Sequence, residues 1–514
     1  MSIFRKRTDA SEVWKSHVVA KMKEPHCWVC AQAVSEVDRD FFWFVNEQYY
    51  EIGVVDKMRL AHGFCPTHTR HFLQTNATSV ITTVFSYLTW YVITRLNAAR
   101  NLLVQGASKQ VPRRLCLQAA TALRPQGICP MCQSLRQSEE IDINALVHAL
   151  ALTEVKEACG QSPGLCLPHF RQAGYRAEWG VVSFLTTDLQ RRLSAKMLPE
   201  RSTMALLERA VGLDRERSLR HRALSGTPKL PKDGKDGGPH TIIELGKPEP
   251  LWSPTFEQLL ASLAEPGCPV CRACEQGVRH YLDWLAQQMG AQPSITESWD
   301  FTWHVCPAHL WELYAVGHDR AAILMGKRTI HEWLLKLDKL AAGLSTKPAE
   351  RSQERLRQGF LVWSGYDNGD CGRDPERPQP RRSKVAAVLE SPQARLDALR
   401  AVAFRTDLCQ ACTYVHTITR QRLDLILRAL EDSAGRKAYH AGWGLCLRHC
   451  IEAANLAEVP AALAELLSAQ IGRLRILEWE LEEASRKQNW SVRYEPKGPE
   501  NDAWRRAAYQ FCGV

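Results

Sequence analysis

Gly164-Leu165-Cys166-Leu167-Pro168-His169 recurs near the other end of the chain as Gly444-Leu445-Cys446-Leu447-Arg448-His449. A Cys-x-x-His pair places a thiol and an imidazole on one face of a helical first turn, because positions i and i+3 are neighbours there. Working outward, each pair has a Cys-x-x-Cys pair upstream. Cys27 and Cys30 precede Cys65 and His68 by 34 intervening residues, and Cys129 and Cys132 precede Cys166 and His169 by 33. Cys268 and Cys271 precede Cys306 and His309 by 34, and Cys409 and Cys412 precede Cys446 and His449 by 33. This is a fourfold internal repeat, and a repeat sets the architecture. Copies one and three share details, as do two and four. Cys65-Pro66-Thr67-His68 matches Cys306-Pro307-Ala308-His309, and Trp43 and Trp284 each follow the first cysteine of their copy by 16 residues. A unit that doubled, diverged and doubled again accounts for the pattern.

Within a copy the periodicity is helical. Val415, Ile418, Leu423, Ile426, Leu427 and Leu430 form one apolar stripe over 413–431. A short helix follows, over 434–440 or 153–159, ended by glycine: Gly160, Gly442 and, in the first copy, Gly63. Cys-x-x-His then opens a long third helix, such as 461–483. Sustained strand alternation is absent. The expected fold is all-α, with four tandem metal-clamped helical repeats arranged as two homologous halves. In this scheme each copy closes on itself, its Cys-x-x-His returning to its own Cys-x-x-Cys.

The expected divisions are repeat 1 over 1–110, repeat 2 over 111–225, a linker over 226–250, repeat 3 over 251–344, an irregular insertion over 345–400, repeat 4 over 401–486 and a tail over 487–514. The linker holds five Gly and five Pro among Lys and Asp, as a flexible tether does. The insertion explains most of the difference between the 102-residue spacing of Cys27 and Cys129 and the 141-residue spacing of Cys268 and Cys409. The tail reads as loosely ordered, with Trp490 and Trp504 available to dock.

Three thiolates and one imidazole suit zinc, which asks only for tetrahedral geometry and is closed by four protein ligands. About four zinc ions per chain are expected. Iron–sulfur clusters are the alternative, since imidazole can replace a thiolate there. A disulfide framework fits poorly, because the chain is 514 residues long, shows no secretion signal and pairs its cysteines two apart. Six cysteines stand outside the sets: Cys116, Cys159, Cys274, Cys371, Cys450 and Cys512. They read as small apolar residues on helix faces, with Cys274 and Cys450 as candidates for a fifth sulfur near a metal. His26, His62, His304 and His440 flank the ligands and read as supporting or surface residues.

At the knuckles the chain resembles a group of bacterial proteins of unknown function that carry Cys-Pro-x-Cys and Gly-x-Cys-x-x-His pairs in helical segments. The residues behind the resemblance are Cys129-Pro130-Met131-Cys132, Cys268-Pro269-Val270-Cys271, Gly164-Leu165-Cys166 and Gly63-Phe64-Cys65. Copy four departs with Gln410-Ala411 inside its knuckle, and copy three has His304-Val305 in place of Gly-x. The resemblance implies metal binding and carries no activity.

The remaining composition is that of an ordinary folded protein, 45% hydrophobic and 24% charged, with a formal net charge of +10. No apolar run follows the basic N-terminus, so the expected location is cytoplasmic. The uncharged stretch 72–94 is laced with polar residues and reads as a core helix rather than a membrane span. Phosphate loops, nucleophile elbows and His-Glu-x-x-His are absent, so enzymatic activity has no motif behind it. Three roles remain: an interaction scaffold with a protein partner, an electron-transfer subunit, and a nucleic-acid binder. The last draws on the segment 191–222, with nine basic residues against four acidic ones, and on 16 tryptophans.

Overall fold

A computed structural model describes residues 15, 18–23, 26–106, 111–193, 203–212, 256–291, 305–345, 392–403 and 409–513. The linker, most of the insertion, Cys371, Trp303 and His304 lie outside the described residues.

The fold is all-helical, with no extended strand among the described residues. In copy one, α1 (Trp28–Trp43) runs into a π-helical turn (Phe44–Gln48), followed by α2 (Ile52–Ala61), α3 (Pro66–Gln74) and α4 (Thr78–Gly106). After α5 (Pro112–Leu123), copy two supplies α6 (Pro130–Ala149), α7 (Thr153–Gln161), α8 (Leu167–Arg176), α9 (Trp179–Leu193) and α10 (Thr203–Val211). Next come α11 (Phe256–Ala264), α12 (Pro269–Ala291), α13 (Pro307–Ala315), α14 (Asp319–Ser345) and α15 (Pro392–Ala403). Copy four gives α16 (Gln410–Ala429), α17 (Ser433–Ala441), α18 (Leu447–Leu456) and α19 (Pro460–Arg486), and the chain ends with α20 (Ala503–Cys512).

Two expectations change here. Cys-x-x-His opens a short helix, and the long helix is a separate element. In copy four the chain turns extended at Ala457, and Pro460 starts α19 at a first-turn position where its missing N–H costs nothing. In copy one the break is at Asn76, which adopts left-handed backbone. The tail is also more ordered than its composition suggested. Ala503, Ala507, Ala508, Phe511 and Cys512 make one buried stripe along α20. Arg506 reaches the buried Glu480 at 2.6 Å, and Lys487 reaches Glu500 at 2.8 Å. Small residues let α20 pack closely, but they gave no strong apolar signal.

The helices gather into two compact units. One comprises Met1–Glu36, Arg136–Arg215 and Leu282–Thr413, and the other Val37–Leu135, Glu216–Tyr281 and Tyr414–Val514. Each therefore draws on both the N-terminal and the C-terminal half. The same packing scheme recurs inside each. In the second unit α4 lies along α19, α5 covers α4, α18 and α19, and α20 packs on α3, α4 and α18. In the first unit α14 lies along α9, α15 covers α14, α8 and α9, and α10 packs on α13, α14 and α8. The apolar stripe of α16 is buried at Ile418, Leu423, Ile426, Leu427 and Leu430. Ile81, Leu88 and Leu96 of α4 and Leu466, Leu474 and Leu481 of α19 are buried in the same core. No described helix is long and apolar enough to cross a membrane.

Candidate metal centres

All eight ligand pairs are built alike. The first cysteine stands immediately before a helix and its carbonyl accepts the first helical hydrogen bond. Examples are Ala31 N–H to Cys27 at 3.1 Å and Phe170 N–H to Cys166 at 2.8 Å. The second ligand lies three residues on, in the first turn. Cys65, Cys166, Cys306 and Cys446 have extended backbone there, with ψ of 166°, 163°, 166° and 160°. The turn before them is left-handed at Gly63, Gly164 and Gly444 (φ +97°, +78° and +73°), which a side chain resists. Thus the Gly-x-Cys glycine makes the turn, whereas Gly160 sits within α7 and Gly442 has φ −89°.

The tertiary structure assembles these pairs into four sets, and the assembly corrects the expected grouping. Site I is Cys27, Cys30, Cys166 and His169; site II is Cys65, His68, Cys129 and Cys132. Site III is Cys268, Cys271, Cys446 and His449; site IV is Cys306, His309, Cys409 and Cys412. No copy closes on itself. Each Cys-x-x-Cys meets the Cys-x-x-His of the other copy in its half. Helix lengths give the reason. The 20 residues of α6 carry the chain roughly 30 Å from Cys129, and the 9 residues of α7 retrace only about half of that. The same holds for α16 and α17, at 20 and 9 residues. Sites I and IV fall in the first compact unit, and sites II and III in the second.

The geometry suits a single ion. Tetrahedral zinc, with Zn–S near 2.3 Å and Zn–N near 2.0–2.1 Å, sets its sulfurs about 3.8 Å apart and each sulfur about 3.6 Å from the nitrogen. Cys30 and Cys166 stand 3.7 Å apart, Cys65 and Cys132 3.6 Å, Cys271 and Cys446 3.7 Å, and Cys306 and Cys412 3.8 Å. Every histidine presents Nδ1. His169 lies 3.3 Å from each of Cys27, Cys30 and Cys166. His68 lies 3.2 to 3.5 Å from its three sulfurs. The Nε2 of His169 faces buried Glu139 at 3.4 Å, a partner that fixes the ring.

Electrostatics also ask for a cation. Each site joins two helix N-termini, whose dipoles favour thiolate. Set this close together, the thiols compete for charge. Contacts with Cys129 and Cys132 drive the Cys65 thiol far below its ordinary range, and contacts with Cys132 and Cys65 drive Cys129 far above. Burial works against a charged His68, but its contacts with Cys132 and Cys65 win and push its pKa up to about 9. A divalent cation removes this competition by satisfying all four donors.

Several supporting residues had no sequence signal as single residues. Arg192 of α9 donates to the carbonyls of Ser162 and Cys159, the latter at 2.5 Å. Arg473 of α19 makes the matching bonds to Gly442 (3.2 Å) and Tyr439. Each arginine fills the space where a Cβ on Gly164 or Gly444 would sit. Gly212 and Gly513, which end α10 and α20, have φ of +84° and +74° and lie against ligand sulfurs. The signal lay in the recurrence of a short helix ending in glycine after copies two and four.

The other sequence candidates separate from the sites. Cys116, Cys159, Cys450 and Cys512 are buried, and Cys274 faces the Thr419 hydroxyl at 3.0 Å. None joins a ligand set. His26 pairs with Glu208 at 2.8 Å and His440 with Glu465 at 2.6 Å. Within the basic segment, Arg191 and Arg192 pair with Asp188, and Arg209 donates to the Pro163 carbonyl at 2.5 Å. Trp28 and Trp311 are buried, whereas Trp43, Trp90, Trp479 and Trp490 are exposed. No protein-family model, no curated protein and no solved structure matches this chain.

Proposed function

We propose that the chain is a zinc protein in which four Cys₃His clamps hold helical units in shape as an interaction scaffold. The observation that carries the metal reading is the one-ion spacing of all four sets. In an iron–sulfur cluster the ligands bind different irons and spread wider than around one ion, so mononuclear zinc is the better supported metal. Four protein ligands close a tetrahedral site and leave no position for substrate, which favours a structural role over hydrolysis. Exposed Trp90, Trp479 and Trp490 support a protein partner, because large aromatics exposed on a folded surface are common anchors of interfaces. Nucleic-acid binding loses support, since the described arginines of its candidate segment hold carbonyls and carboxylates of this chain. A cytoplasmic setting, where thiols stay reduced, is consistent with the proposal.

Elemental analysis and an optical spectrum on freshly purified protein test the metal. About four zinc ions in a colourless protein is the expected result. A brown protein with iron and inorganic sulfide would overturn zinc, and a metal-free folded protein would overturn the whole reading.

A further inference from the structure

Each compact unit holds two metal sites joined by one glycine-ended helix. In the first unit, Gly212 follows α10 and packs over site I. A Cβ there would stand 3.1 Å from the Cys30 sulfur and 3.4 Å from the Cys166 sulfur. The carbonyl of this same glycine accepts the indole N–H of Trp311 at 3.1 Å. Trp311 is buried on α13, two residues beyond His309 of site IV. The second unit repeats the device with different chemistry. Gly513 follows α20 and packs over site III, where a Cβ would fall 2.3 Å from the Cys271 sulfur and 3.1 Å from that of Cys446. The preceding Cys512 faces the Thr69 hydroxyl at 2.9 Å and the Phe64 carbonyl at 3.4 Å. Phe64 and Thr69 flank Cys65 and His68 of site II.

The sulfurs covered are equivalent: the second cysteine of an odd copy and the Cys-x-x-His cysteine of an even copy. The far end of each bridge is equivalent too, resting on the Cys-x-x-His helix of an odd copy. We infer that the four sites act as two coupled pairs, I with IV and II with III, in which metal at one site fixes the glycine cover of the other. The inference rests on the metal reading above and adds its regulation. The physical cause is local. Ion binding draws three sulfurs and a nitrogen into one geometry and so sets the surface on which the glycine lies. A glycine held from its other side, directly by Trp311 or through the preceding Cys512 by Thr69, transmits that order. Coupling of this kind is reciprocal in binding free energy. An ordinary side chain cannot take the glycine's place, because it would meet the sulfurs and resist the left-handed backbone.

The test uses the full-length zinc-loaded protein. Release at each site is followed through alkylation of its cysteines, located by mass spectrometry, as a competing chelator is added. Trp311→Phe keeps the ring but removes the donor to Gly212. It should lower the chelator concentration that half-empties site I about five- to tenfold, the lower range of measured site–site couplings, and leave sites II and III unchanged. Thr69→Val should do the same to site III and leave sites I and IV unchanged. Gly212→Ala provides the reverse direction, since its direct damage is at site I and the coupled loss is at Cys306, Cys409 and Cys412. An unchanged midpoint at site I in Trp311→Phe and at site III in Thr69→Val would overturn the coupling, as would an equal shift at all four sites. A protein that holds no zinc at any site overturns the metal reading instead, so the two failures are distinct.

Discussion

Which cysteine answers to which histidine can be tested at single side chains, and the crossed pairing makes a prediction at that scale. Cys166→Ser should expose Cys27 and Cys30 to alkylation in native protein. Cys129 and Cys132, in the same copy as Cys166, should stay protected, because their partners are Cys65 and His68. Protection lost at Cys129 and Cys132 with Cys27 and Cys30 still shielded would restore the self-closing arrangement. A second prediction concerns Gly164. Its φ of +78° and the Arg192 guanidinium against its Cα leave no room for a methyl group. Gly164→Ala should cost about 1–2 kcal/mol from the left-handed backbone, with further loss from the displaced arginine. Denaturant melts would show it.

His62 adds a pH effect. It is buried beside the left-handed turn of copy one, and burial, assisted by the Arg95 charge, holds its pKa down to about 4. The folded chain thus favours neutral imidazole, while the unfolded chain titrates near the ordinary value of 6.5. Stability from this group is fully present above 6.5 and is lost as pH falls toward 4, up to about 3 kcal/mol. His62→Asn tolerates the same backbone and removes the titration. The wild type should therefore lose more stability than the variant across that window, and parallel pH curves would exclude the effect.

Among the elements, α20 shows how a segment with little hydrophobic signal becomes necessary. Phe511 is buried against Phe85 of α4, with ring centroids 5.5 Å apart, two residues before the glycine over site III. Phe511→Ala should destabilise the protein by about 3–5 kcal/mol, as other buried phenylalanines do. It should also raise the reactivity of Cys271 and Cys446. A thermal shift without any change in thiol reactivity would leave α20 as packing alone. The helix escaped notice because its stripe, though at helical spacing, is mostly alanine and the helix as a whole is weakly hydrophobic. The long helices α16 and α19 were legible within a few residues of their bounds, since each carries leucine and isoleucine at helical spacing. The break between α18 and α19 was missed because the alanine-rich sequence continues through it, and only Pro460 marks the new start.

At the scale of the whole molecule, chelation is the decisive perturbation. On the proposed zinc reading, metal removal should unfold the helices cooperatively within each unit. Structural zinc in small finger peptides supplies about 10–16 kcal/mol of apparent binding free energy, as much as the whole net stability of a typical domain. Loss of far-ultraviolet helicity on chelation, recovered on adding zinc, is the expected result. Helicity that survives full metal removal would show that the cores stand without the clamps.

The sequence by itself determined the all-α class, the sixteen candidate metal-ligating residues and their division into eight like pairs. Those features depend on spacing within one or two helical turns, where residue identity and helix geometry suffice. It could not determine which pair meets which. A spacing of 33 or 34 residues is long enough for either partner, and both choices offer the same donors. The tertiary structure decided it, because return helices shorter than the outgoing ones leave each Cys-x-x-His short of its own Cys-x-x-Cys and beside that of its neighbour. The glycine bridges follow from the same fact, since a contact between distant helix ends leaves no local mark on the chain.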